Sequence, residues 1–163
     1  AFPKRGYVVA NPDAVSIPGL RNLVQLIGCI PVPSALSGFP PFLKALERRF
    51  RQGACIGIFP EAHIWPFYTG VRPFVGSSFR YPVKMNAPVV AMAVTYRKRR
   101  GLFRWVKRPG ITVTFSAPMY PDPALRPKAA QEDLRQRTYE FMCQVTSRPG
   151  NVEYIHYAPK EEA

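Results

Sequence analysis

Apolar positions fall into short runs set apart by prolines and charges, and their spacing predicts alternating strands and helices. Residues 6–10 read as a strand that Asn11-Pro12-Asp13 breaks. Ser16 can cap a helix with Pro18 in its first turn, placing Leu20, Leu23, Val24 and Ile27 on one face until Gly28 ends it. A second helix is predicted over residues 40–52, with Phe42, Leu43, Leu46 and Phe50 inward and Lys44, Glu47, Arg48, Arg49 and Arg51 outward. Gly53 stops that helix, and residues 54–59 form an apolar run of strand length.

Residues 60–74 hold too many prolines, glycines and aromatics for regular structure, and 79–86 can be helical only with a fault at Pro82. Residues 89–96 and 111–115 read as buried strands around a hairpin tip. The last helix runs from Pro127 to about Ser147, with Glu132 and Asp133 near its positive end and Leu134, Phe141, Met142 and Val145 on its apolar side. Such alternation predicts an α/β fold: one layered domain over residues 1–163, its mixed, largely parallel sheet flanked by helices.

Length agrees, because a chain of 163 residues can bury a full core without metals or disulfides. Against 10 Asp and Glu stand 23 Lys and Arg, a formal charge of +13 that favours an anionic partner. Cys29, Cys55 and Cys143 form no CxxC pair, so they read as core thiols in a reducing, cytoplasmic setting rather than as metal ligands. The longest mostly apolar run, residues 87–96, is half the length of a membrane-spanning helix. The chain opens Ala1-Phe2-Pro3-Lys4-Arg5, with no Met and no signal-peptide core, and is expected to continue a longer protein.

Two segments carry candidate chemistry. After the run at 54–59 comes Phe59-Pro60-Glu61-Ala62-His63-Ile64-Trp65, with Arg72 further on, where ligands of open α/β sheets tend to bind. Glu61 can accept hydrogen bonds from hydroxyls, His63 can donate one, and Arg72 offers a planar fork to a phosphate; alternatively Glu61 and Arg72 merely pair in a surface loop. The second segment is Arg97-Lys98-Arg99-Arg100-Gly101-Leu102-Phe103-Arg104-Trp105-Val106-Lys107-Arg108, seven cations around two aromatics. Three readings stay open for it: contact with an anionic membrane surface, a solvated basic loop, or a nucleic-acid-binding module, although no helix-turn-helix, zinc or single-strand-binding signature accompanies it.

The succession Gly53-Ala54-Cys55-Ile56-Gly57-Ile58-Phe59-Pro60-Glu61, Phe74, Phe79-Arg80 and Asn86-Ala87-Pro88-Val89-Val90 resembles the third and fourth blocks of the glycerolipid acyltransferases typified by lysophosphatidic acid acyltransferase. Upstream, Ile17-Pro18-Gly19 and Gly28-Cys29-Ile30-Pro31-Val32 look like the preceding helix and strand block, and the resemblance spans residues 7–116. It implies a glycerol-phosphate acyltransferase-like fold truncated at its N-terminus. It also implies transfer of a fatty acyl group from acyl-CoA or acyl carrier protein to a lysophospholipid, glycerol phosphate or related hydroxyl acceptor. Phe59, Pro60, Glu61, His63 and Arg72 would then line the acceptor. The donor thioester is a substrate, and no separate cofactor or metal is implied.

This sequence departs from the family pattern at three positions after Phe59-Pro60-Glu61. Ala62 stands for the family's Gly, His63 for its Thr and Ile64 for its Arg, while Ser34 stands about where a second Arg is expected. The family's catalytic His-x-x-x-x-Asp precedes the first helix, but here His63 is followed five positions on by Tyr68 and His156 by Glu161. The resemblance therefore places the catalytic pair before Ala1 and leaves this chain with the acceptor wall but not the base. The implied setting is peripheral, at the membrane surface, with Arg97, Lys98, Arg99, Arg100, Phe103 and Trp105 touching membrane or another anion.

Overall fold

The computed structural model describes residues 5–10, 28–62, 65–103 and 105–157. Its contacts divide the chain into two compact units, residues 1–60 and 61–163.

In the first unit, β1 (Gly6–Ala10), β2 (Cys29–Pro31) and β3 (Cys55–Gly57) form a parallel sheet in the order β2-β1-β3. Val8 aligns with Cys29 on one side and with Gly57 on the other. Parallel neighbours need crossovers. One is supplied by α1 (Phe39–Arg51), which packs on β3 and buries Phe42 and Leu46; Tyr7 and Val9 of β1 are buried as well. The helix starts with prolines in its first turn and ends at Gly53, whose φ of +77° lets Gly53 N–H reach the Phe50 carbonyl and Ala54 N–H the Arg49 carbonyl. Gly28 is required by space: a Cβ there would lie 2.6 Å from the Gly6 carbonyl oxygen. The helix predicted between Ser16 and Gly28 falls outside the described residues. So does the other crossover.

The second unit contains α2 (Arg80–Met85), an antiparallel hairpin of β4 (Met92–Arg97) and β5 (Gly110–Phe115), and α3 (Pro127–Thr146). Its core joins Phe74, Phe79 and Leu134, with Val71, Val83, Val89, Met119, Tyr139 and Met142 packed around them. Phe74 stacks on Phe79 at 6.0 Å and meets the Tyr139 ring edge-on at 5.2 Å. The fold is thus mixed α/β, with a parallel sheet and accompanying helices as expected.

Several local expectations need correction. Pro82 makes no fault, because α2 begins at Arg80 and a proline in the first turn replaces an N–H that has no helical acceptor. The predicted buried strands are half-exposed. Opposed pairs Met92/Phe115, Val94/Val113 and Tyr96/Ile111 share one face, and Phe115 and Ile111 are 63% and 57% exposed, while Ala91 and Ala93 turn inward. Likewise β3 is shorter than the run at 54–59, and Phe59 is exposed. The cysteines are not core thiols: Cys55 is exposed, and Cys29 and Cys143 are half-buried. Glu132 and Asp133 lie past the first turn of α3 and pair with Arg135 and Arg137. Among the described residues no helix is long and apolar enough to cross a membrane.

Candidate functional site

Phe59 and Pro60 close the first unit and Glu61 opens the second. Beyond Glu61 the backbone enters the left-handed region, with φ of +59° at Ala62. This is the position at which the resembled family carries glycine, which adopts that conformation without steric cost.

The carboxyl of Glu61 is half-buried, and this loss of solvent pushes its pKa above the ordinary carboxylate range. A hydrogen bond from the Arg72 backbone N–H and the charge of Arg72 oppose the rise without cancelling it. Arg72 is positioned by its neighbours, since Val71 packs on the core and Phe74 is buried within it. Its guanidinium lies over the Trp65 ring, 4.4 Å from the centroid. Among the described residues no ion pair joins Arg72 to Glu61, and its Nη1 is buried without a hydrogen-bond partner. A fork edge left unsatisfied in this way favours an incoming acceptor oxygen.

Trp65 belongs to an aromatic group held by the far end of the chain. Tyr157 stacks on Trp65 at 4.8 Å, Tyr68 meets both rings edge-on, and the Tyr157 hydroxyl donates to the Pro66 carbonyl at 2.8 Å. Phe67, at φ +58°, sets its ring against Tyr96 of β4. Asn151 completes the tether by donating through Nδ2 to the Thr69 and Thr146 carbonyls and accepting the Tyr96 N–H at Oδ1.

The structure therefore brings together Glu61 and Arg72 of the predicted acceptor residues. His63 and the Phe103 side chain fall outside what it describes. Arg97, Lys98, Arg99, Arg100 and Trp105 are exposed at the hairpin tip. His156 pairs with Glu153 at 3.0 Å on the surface. Sequence reasoning missed Asn151, Tyr157 and the platform role of Trp65. A shallow depression of about 470 Å³ along α3, lined by Met119, Arg137, Glu140, Phe141 and Gln144, includes none of the predicted residues.

A family model described as Acyltransferase matches residues 1–95. Among curated proteins none matches the chain in sequence. The fold is similar to the crystal structure of the 1-acyl-sn-glycerophosphate (LPA) acyltransferase PlsC from Thermotoga maritima, with a TM-score of 0.57 and 15% identity. That match covers 88% of this chain but 58% of the PlsC chain, so this chain spans less than two thirds of that structure.

Proposed function

The chain belongs to the Acyltransferase family, and from that premise we propose that it supplies the acceptor side of a fatty acyl transfer of the 1-acylglycerol-3-phosphate O-acyltransferase type. The donor is an acyl thioester of coenzyme A or acyl carrier protein. The acceptor is a hydroxyl of a lysophospholipid, glycerol phosphate or related molecule met at a membrane surface. One observation carries the reading: a half-buried carboxyl, Glu61, lies beside an arginine whose Nη1 is buried and unpaired.

In this reading Glu61 accepts a hydrogen bond from the acceptor's hydroxyl groups, and Arg72 receives its phosphate oxygens. The Trp65 ring fixes the plane of the guanidinium, whose buried, unpaired Nη1 is the donor left for an oxygen of the bound acceptor. A base removes the proton from the reacting hydroxyl, whose oxygen attacks the thioester carbonyl. The new C–O bond forms, the C–S bond breaks, and the thiol leaves with a proton. No covalent enzyme intermediate is required, so the cysteines have no chemical role. The His-x-x-x-x-Asp pair that provides the base in the family is not among these 163 residues. The proposal assigns it to the full-length protein and makes the isolated chain inactive.

The test is thiol release by the full-length protein with acyl-CoA and acyl-carrier donors. Glu61→Ala should abolish release, and full activity in that variant rejects its role. Arg72→Ala should raise KM for a phosphate-bearing acceptor on the order of tenfold or more, the effect of losing a charged hydrogen bond. Arg72→Lys should not restore it, because an ammonium lacks the planar fork and the stacking face.

A further inference from the structure

We propose that the β4–β5 hairpin tip docks on an anionic phospholipid bilayer, with Leu102 and Trp105 entering the interfacial layer and the surrounding cations meeting lipid phosphates. The inference rests on the acyltransferase reading for its lipid partner, but its evidence comes from a different part of the molecule.

Antiparallel pairing from Met92↔Phe115 to Arg97↔Gly110 carries the two strands outward, and Arg99 Nε donates to the Arg108 carbonyl at 2.9 Å across the tip. A 3-10 turn at Gly101–Phe103 follows, opened by Gly101 at φ +66°. Beyond that clip Leu102 is 88% and Trp105 77% exposed. Two large apolar side chains held almost fully in water do nothing for the core, and one of them is of the type enriched at membrane interfaces.

Charge selects the kind of surface. Between Glu61 and Asp122 the sequence has no acidic residue but ten cations, seven of them within 97–108. Arg97, Lys98, Arg99, Arg100, Lys107 and Arg108 are all exposed. Among the described residues, the segment after α3 that meets β4, through Val152 N–H to the Tyr96 carbonyl and the Tyr154 hydroxyl to the Arg97 carbonyl, brings one carboxylate, Glu153, and His156 engages it. Nucleic acid would meet the cations but gains less from an exposed leucine, whereas a bilayer offers phosphates and an apolar layer at adjoining depths.

Sedimentation of the full-length protein with vesicles of phosphatidylcholine containing phosphatidylserine decides the matter. Each cation near such a surface is worth about fivefold in partitioning. The fourfold variant Arg97→Gln, Lys98→Gln, Arg99→Gln and Arg100→Gln should therefore bind at least ~20-fold more weakly, allowing for incomplete neutralisation. Trp105→Gln, which leaves every charge in place, should weaken binding severalfold and remove a blue shift of tryptophan emission on vesicle addition. Glu61→Ala should sediment like wild type, so that failure of the acceptor-site reading is seen in thiol release and failure of the docking reading in sedimentation. Unchanged vesicle binding in the fourfold variant overturns the proposal. So does vesicle binding that is unchanged while binding to a single-stranded oligonucleotide collapses.

Discussion

Removing the amide of Asn151 should loosen the loop that carries Arg72, and the size of the effect follows from its hydrogen bonds. Its Oδ1 accepts the Tyr96 N–H at 3.0 Å, and its Nδ2 donates to the Thr69 carbonyl at 2.9 Å and the Thr146 carbonyl at 2.8 Å. Each such bond contributes about 1 kcal/mol net, so Asn151→Ala should cost about 2–3 kcal/mol once water reaches this half-exposed position. Asn151→Asp is the sharper probe. It keeps the acceptor for Tyr96 but replaces the donor with a second oxygen facing two carbonyls. Burial and those carbonyls should raise the new carboxyl's pKa above its unfolded value of about 3.9, so any stability it has is present at low pH, where it can donate a proton to one carbonyl. That contribution is lost as pH rises through the raised folded pKa. Urea unfolding followed by circular dichroism at pH 4, 5.5 and 7 should place the aspartate variant near or above the alanine variant in acid and below it at neutrality. An aspartate variant as stable as wild type at pH 7 would refute the tether.

Two further outcomes are expected. Glu61 has a raised folded pKa, so it lowers stability increasingly as pH climbs from its unfolded value through the folded one. Glu61→Gln should therefore melt at or above the wild-type temperature at pH 7, with the difference shrinking in acid, even though acyl transfer is lost; a lower melting temperature at pH 7 would contradict the burial argument. Ala62→Gly should stabilise by about 0.5–1 kcal/mol in denaturant titration, because relief of the left-handed strain exceeds the added freedom of the unfolded chain. Ala62 is exposed, so no packing change confuses that measurement.

Much of the fold was legible because its signals are local. The helix over 39–51 shows its apolar stripe and its glycine stop, and the hairpin shows two β-rich runs around a glycine-containing tip. Phe59-Pro60-Glu61 was legible as part of an ordered series of blocks. Burial of the strands was not, since an apolar run reads alike whether one face or both are covered, and here Ile111, Val113 and Phe115 face water. The tether escaped notice for another reason. Asn151 and Tyr157 bind backbone carbonyls 82 and 91 positions away, and a carbonyl is the same for every residue type, so no composition or spacing betrays the pairing. Trp65 and Arg72 lie within an irregular loop, where periodicity says nothing about which side chains meet.

That tether has a consequence for biosynthesis. Ribosomes deliver Glu61, Trp65 and Arg72 long before they deliver Asn151 and Tyr157, so a nascent polypeptide carries Arg72 on an unfastened segment until those two residues emerge. The loop that carries Trp65 and Arg72 is in that sense fastened only after α3 has been made, and a stop codon shortly after α3 would leave both residues encoded but unsecured.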